Sequence, residues 1–187
     1  KLSLLGDFQR TNAALASAAA RYIGIDPLSI GRGMRQAKWP ARMQTISSGL
    51  LWTAAGSGKH RLVIDGAHNA NAGRAIADSL PDDQPIYLVY GLLATKDAQG
   101  FVQPLLPKVS RAVAVEIPGA AASLSAHNAA SAAGHAAAET APSIAAALET
   151  LRDEEPGMIL VCGSLYLAGA FLAENQGVAV ASGRKAV

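Results

Sequence analysis

Three absences bound this 187-residue chain before any motif is read. It has one cysteine, Cys162, inside an apolar run. No disulfide framework can therefore form, and a reducing cytoplasm is the expected setting. No apolar run approaches the about 18 residues of a membrane-spanning helix, and no charged start with an apolar core marks a signal peptide. Neither membrane nor export is expected. The formal charge is only +2 and its basic residues are scattered, which argues against nucleic acid as a partner. Aromatics are scarce at 5%, while half the residues are hydrophobic. Alanine fills much of that half, and alanine lets elements approach closely, as layered α/β folds require.

The present residues are ordered into alternating segments. Residues 11–23 have helical composition, ended by Gly24 and Pro27. The basic, glycine-bearing stretch 28–40 reads as irregular. A short strand at 42–46, a turn at 47–49 and a second strand at 50–53 are predicted next. Strands then fall at 61–65, 86–90, 111–116 and 158–162, and helices at about 70–80, 97–107 and 164–174. The alanine-rich stretch 126–152 reads as two helices broken near Pro142. Continuous apolar strands separated by helices predict a Rossmann-like, mostly parallel sheet with helices on both faces. The division expected is a helical segment 1–30, a linker 31–40, a main domain 41–175 and a frayed tail 176–187. The opening residues read as the middle of a longer protein.

Three polar clusters follow three of these strands: DGAHN (65–69), GLLATKD (91–97) and Gly163-Ser164. In a parallel sheet the carboxyl ends of strands share one edge, where open α/β sheets bind ligands. Each cluster also opens a helix, whose first N–H groups favour anions. Asp65, His68, Asn69, Lys96, Asp97 and Ser164 are thus candidates for one crevice. Singly, each cluster is equally a turn with a helix cap, and Asn69 and Ser164 are good caps. Upstream, Gln9 and Asn12 share a helix face if the helix starts early, and carboxamides can pair with adenine. Arg42, after Trp39-Pro40, suits phosphate. The sequence GSGKH (56–60) is no phosphate loop: Thr53 stands where the first glycine is required, and His60 follows the lysine.

In order, GDFQRTNAALA (6–16), WPARMQ (39–44), LVIDGAHNANAG (62–73), YGLLATKD (90–97) and LVCGSLYLAG (160–169) resemble the Mur ligase superfamily, and most closely folylpolyglutamate synthase/dihydrofolate synthase. The resemblance implies the last helix of a central ATPase domain, a linker and a whole carboxyl-terminal domain. It implies ATP and Mg2+ as cofactors, the metal held mainly by the ATPase domain outside this chain. It also implies L-glutamate and a folate or dihydropteroate carboxylate as substrates, joined through an acyl phosphate by a monomeric enzyme. By motif, Gln9 and Asn12 would meet adenine, Arg42 the phosphates and Asp65 the ribose. His68 and Lys96 would serve catalysis, and Lys96 and Ser164 would hold glutamate. Gly31 and Gly33 would supply a hinge. Departures are Phe8 for the family's usual histidine, Ala41 for its glycine, and no arginine in EIPGAAASLSAHN (116–128). A sister ligase acting on a peptide precursor and a non-catalytic nucleotide-binding module are the alternatives.

Overall fold

The structure, a computed structural model, describes residues 2–4, 6–134 and 139–179. A helical pair comes first, α1 (Phe8–Tyr22) and α2 (Pro27–Gln36). Then follow β1 (Gln44–Ile46), α3 (Leu50–Ala54), β2 (Arg61–Ile64), α4 (Ala70–Ser79), β3 (Ile86–Tyr90) and α5 (Ala98–Val102). A 3-10 turn at Leu106–Lys108 leads to β4 (Arg111–Val115), α6 (Ala126–Ala132), β5 (Glu139–Ala141), α7 (Ile144–Leu151), β6 (Met158–Cys162) and α8 (Leu165–Asn175).

The strands form one sheet in the order β1-β2-β6-β3-β4-β5. Only β1 runs antiparallel, against β2. Successive side chains of a strand point to opposite faces, and both faces here are covered. Leu62, Ile64, Val89, Val113, Ile159 and Val161 meet Leu51 of α3, Ile144 and Leu148 of α7, and Phe171 of α8. Val63, Leu88, Tyr90, Ala112, Ala114 and Leu160 meet Ile76 of α4, Phe101 of α5 and Ala129 of α6. This two-sided burial is why β2, β3 and β6 are unbroken apolar runs. Burying a side chain such as Phe171 or Leu88 stabilises the fold by roughly 1.5–3 kcal/mol.

Four expectations need correction. Residues 31–36 are helix rather than linker, because Asp26 accepts from Leu28 N and Ser29 N, both at 2.9 Å, and Pro27 pre-sets the first turn. Gly31 and Gly33 therefore sit inside α2, and the connection to the sheet shrinks to the residues after Gln36. Residues 50–54 are helical, not a strand. Leu51 N and Trp52 N donate to Asn175 Oδ1 at 3.0 and 3.2 Å, so the cap arrives from the far end of the chain. The helix expected at 97–107 stops at Val102, since Pro104 has no N–H to continue it. Part of the stretch expected to be helical, 139–141, is β5, parallel to β4. The tail expected at 176–187 lies outside the described residues from position 180 onward.

Candidate functional site at the carboxyl edge of the sheet

Strand order decides the geometry of the site. Because β6 lies between β2 and β3, Gly163-Ser164 sits between DGAHN and GLLATKD. Backbone contacts fuse the turns: Gly163 N donates to Ala67 O at 2.9 Å, and Gly91 N to Cys162 O at 3.3 Å. Gly163 takes φ 116°, and a methyl there would lie 2.6 Å from Gly91 O. Glycine is required at that crossing. The loop after β4 braces the rim, with Leu124 N donating to Leu92 O and Ala94 N to Ala122 O, both at 2.8 Å.

His68, Lys96 and Ser164 line one cleft of about 260 Å3, walled by Leu93, Leu165 and Tyr166. Three residues singled out in the sequence are thus brought together. Ser164 caps α8, its Oγ accepting from Tyr166 N at 3.0 Å, which leaves its hydroxyl hydrogen to donate. Its cap role and its place in the cleft coexist. Lys96 is exposed and has no ion-pair partner among the described residues. His68 is half-buried, with Nδ1 2.9 Å from Gly66 O. The other two candidates are caps: Asn69 Oδ1 accepts from Ala72 N at 3.0 Å, and Asp97 Oδ1 from Gly100 N at 2.8 Å. Tyr166 and Thr95 also line the cleft, although the sequence reading passed over them. Their positions inside GSLYLAG and GLLATKD were the available signal.

Asp65 takes a different posture from the one expected. It is 1% exposed, with Oδ2 accepting from Met43 N and Oδ1 from Ala67 N, both at 2.8 Å. Burial pushes its carboxyl up, opposed by those two N–H donors and by the charge of Arg42. Instead of facing the crevice, the carboxylate ties the Arg42 loop to the His68 loop. Gly66 N adds a third tie to Ala41 O at 2.8 Å. In this arch Ala41 and Met43 have φ 55° and 45°, a region costly for residues with a Cβ. A glycine at position 41 would take that φ without the cost. Arg42, at the crown, lines a separate groove with Lys38 and Trp39.

Gln9 and Asn12 form a third locus. They share a face of α1, Asn12 Nδ2 donating to Gln9 Oε1 at 3.0 Å. Both line an apolar pocket of about 240 Å3 between α1 and α2, with Leu4, Ala13 and Met34. Gln9 is 5% exposed, and its Nε2 is buried without a hydrogen-bond partner among the described residues. Such a donor costs about 1–3 kcal/mol unless something accepts from it. At the opposite end of the sheet, GSGKH is a turn before β2, with His60 packed edge-on against Tyr87 at 5.5 Å.

The family profile described as dihydrofolate synthetase, C-terminal domain, matches residues 50–174. The chain belongs to that family. It is 31% identical over 179 residues to a folylpolyglutamate synthase of Lacticaseibacillus casei, covering 91% of this chain and 39% of that protein. It is 37% identical over 99 residues to a UDP-N-acetylmuramoyl-L-alanyl-D-glutamate–2,6-diaminopimelate ligase of Corynebacterium efficiens, covering 52% of this chain and 17% of that one. Among solved structures, Mycobacterium tuberculosis folylpolyglutamate synthase complexed with ADP superposes with a TM-score of 0.74 at 25% identity, over 92% of this chain and 41% of that one. This family's chain thus spans about two-fifths of the length of those folylpolyglutamate synthases. No helix among the described residues is long and apolar enough to cross a membrane.

Proposed function

We propose that this chain forms the carboxyl-terminal part of an ATP-dependent ligase that joins L-glutamate to a folate or dihydropteroate carboxylate through an acyl phosphate. The observation that carries the reading is the single cleft shared by His68, Lys96 and Ser164. Lys96 supplies a cation and Ser164 a hydroxyl donor for the carboxylates of an amino acid, leaving its amino group to attack. A charged hydrogen bond of this kind contributes roughly 1.5–3 kcal/mol. ATP supplies the phosphoryl group. The place given to its base rests on Gln9 and Asn12, two carboxamides that line one apolar pocket between α1 and α2. Arg42 is assigned to the phosphates, and Asp65 is assigned to holding Arg42 in place.

No group of three or more His, Cys, Asp or Glu that could hold a metal ion gathers among the described residues. In this reading phosphoryl transfer belongs to the portion of the folylpolyglutamate synthases that this chain does not span. The test is orthophosphate release from ATP, with glutamate and dihydropteroate or folate, by the intact enzyme and by residues 1–187 alone. The intact enzyme is expected to turn over and the isolated chain to be silent. Turnover by the isolated chain, or indifference of the intact enzyme to glutamate, would sink the reading. The similarity to a diaminopimelate ligase makes diaminopimelate the competitor to include in the same assay.

A further inference from the structure

We propose that Lys38 selects an acceptor that already carries glutamate, by holding that acceptor's second carboxylate beside the one that reacts. The inference rests on the ligase reading above, with Arg42 on the phosphates. Its place is the groove of about 520 Å3 lined by Leu4, Lys38, Trp39, Arg42 and Gln44, apart from the amino-acid cleft.

The charge of this groove is one-sided. Lys38 and Arg42 both line it, and no Asp or Glu does among the described residues. Lys38 is exposed and has no ion-pair partner among the described residues. Between the two cations in sequence stands Trp39, 65% exposed. An open indole flanked by cations suits a ligand that is part flat and apolar and part anionic.

The groove is also pre-set. Ser3 Oγ donates to Ala37 O at 2.6 Å, Ala41 N donates to Gln44 Oε1 at 2.9 Å, and Met43 N donates to Asp65 Oδ2 at 2.8 Å. Side chains from ahead of α1, from β1 and from the turn after β2 thus pin the backbone that carries both cations. A ligand with two anionic groups meets them without first having to order the loop.

The two acceptors differ at one group. Dihydropteroate ends in a benzoate, and its single carboxylate is the one that takes the phosphoryl group. Dihydrofolate adds a glutamate, so one carboxylate reacts and another is a spectator. With Arg42 on the phosphates, the reacting carboxylate comes to the phosphoryl group beside it. The spectator, a few bonds away, then meets the next cation of the same groove, Lys38. Arg10 and Arg35 line a different groove, and Lys96 lines the amino-acid cleft.

The test is kcat/KM of the intact ligase for dihydropteroate and for dihydrofolate, from initial rates at saturating ATP and glutamate. A lost charged hydrogen bond at a solvent-open site should lower kcat/KM of Lys38→Ala for dihydrofolate about tenfold, through KM, and leave dihydropteroate within about twofold. Lys38→Arg should restore the use of dihydrofolate, and the KM for ATP should not move. Unchanged dihydrofolate kinetics in Lys38→Ala would overturn the proposal. Equal losses with both acceptors, or a raised KM for ATP, would overturn it in favour of a nucleotide or structural role. A wild type that uses dihydropteroate alone would overturn the role of Lys38 and leave the ligase reading standing. A wild type that uses neither acceptor would overturn both.

Discussion

The two ends of the sheet handle charge in opposite ways. At the amino-terminal end, Arg111 binds Glu139 through Nε at 2.6 Å and Glu154 through Nη1 at 2.6 Å, and Lys108 reaches Asp82 at 2.9 Å. Those charges are consumed in tying β4, β5 and the end of α7 together. At the carboxyl end, Lys96 and Arg42 have no ion-pair partner among the described residues. The carboxylate beneath Arg42, Asp65, is occupied by backbone N–H groups, and Asp97, beside Lys96, caps α5. Paired cations hold the fold together. Unpaired cations above turns tied by backbone hydrogen bonds are free to meet an anion.

The largest break should come from Gly163→Ala, which attacks the carboxyl end through its backbone. The methyl meets Gly91 O, and φ 116° is closed to alanine, so a loss of about 3 kcal/mol or more is expected in urea unfolding. A loss under about 1 kcal/mol would show that the turns can slide apart. Next, Lys96→Ala should leave stability within about 0.5 kcal/mol while raising the glutamate KM of the intact enzyme about tenfold or more. Unfolding as marked as that of an Arg111 variant would erase the contrast between the two ends.

Arg111→Ala should cost about 1 kcal/mol. Its partners Glu139 and Glu154 are 47% and 37% exposed, and solvent screening keeps such pairs weak. The two ends should also differ in the sign of their pH dependence. Hydrogen bonding to Arg111 lowers the Glu139 carboxyl below its ordinary 4.5. Its contribution is complete above that value and is lost as pH falls through the lowered one, so the gap between wild type and Glu139→Gln should narrow on acidification. Burial raises the Asp65 carboxyl above 3.8. There the folded state holds its proton more tightly, and stability falls as pH rises through the raised value. Wild type should therefore gain on Asp65→Asn as pH drops toward 4. The smallest effect expected is a gain of about 0.5 kcal/mol for Ala41→Gly, with relief at φ 55° set against added chain entropy. Thermal melting would resolve it.

The sequence by itself determined the repeating layers and three members of the cleft. Apolar strands at RLVI, IYLVY, RAVAV and MILVC, each followed by turn and cap residues, force a two-sided parallel sheet. That sheet brings His68, Lys96 and Ser164 to one edge. These are local signals of periodicity and capping, complete within about ten residues. The α2 start was equally legible in Asp26-Pro27, but Gly31 and Gly33 masked it. Tertiary structure alone decided α3, whose N–H groups are capped by Asn175, and β5, a three-residue edge strand formed by pairing with β4. It also decided the inward turn of Asp65 and the tie between the Arg42 and His68 loops. Each depends on a partner supplied by the folded backbone: Met43 N, 22 positions from Asp65, and Ala41 O, which accepts from Gly66 N. A buried polar atom takes whichever partner the packing brings within 3 Å, and no pattern of neighbours along the chain specifies that.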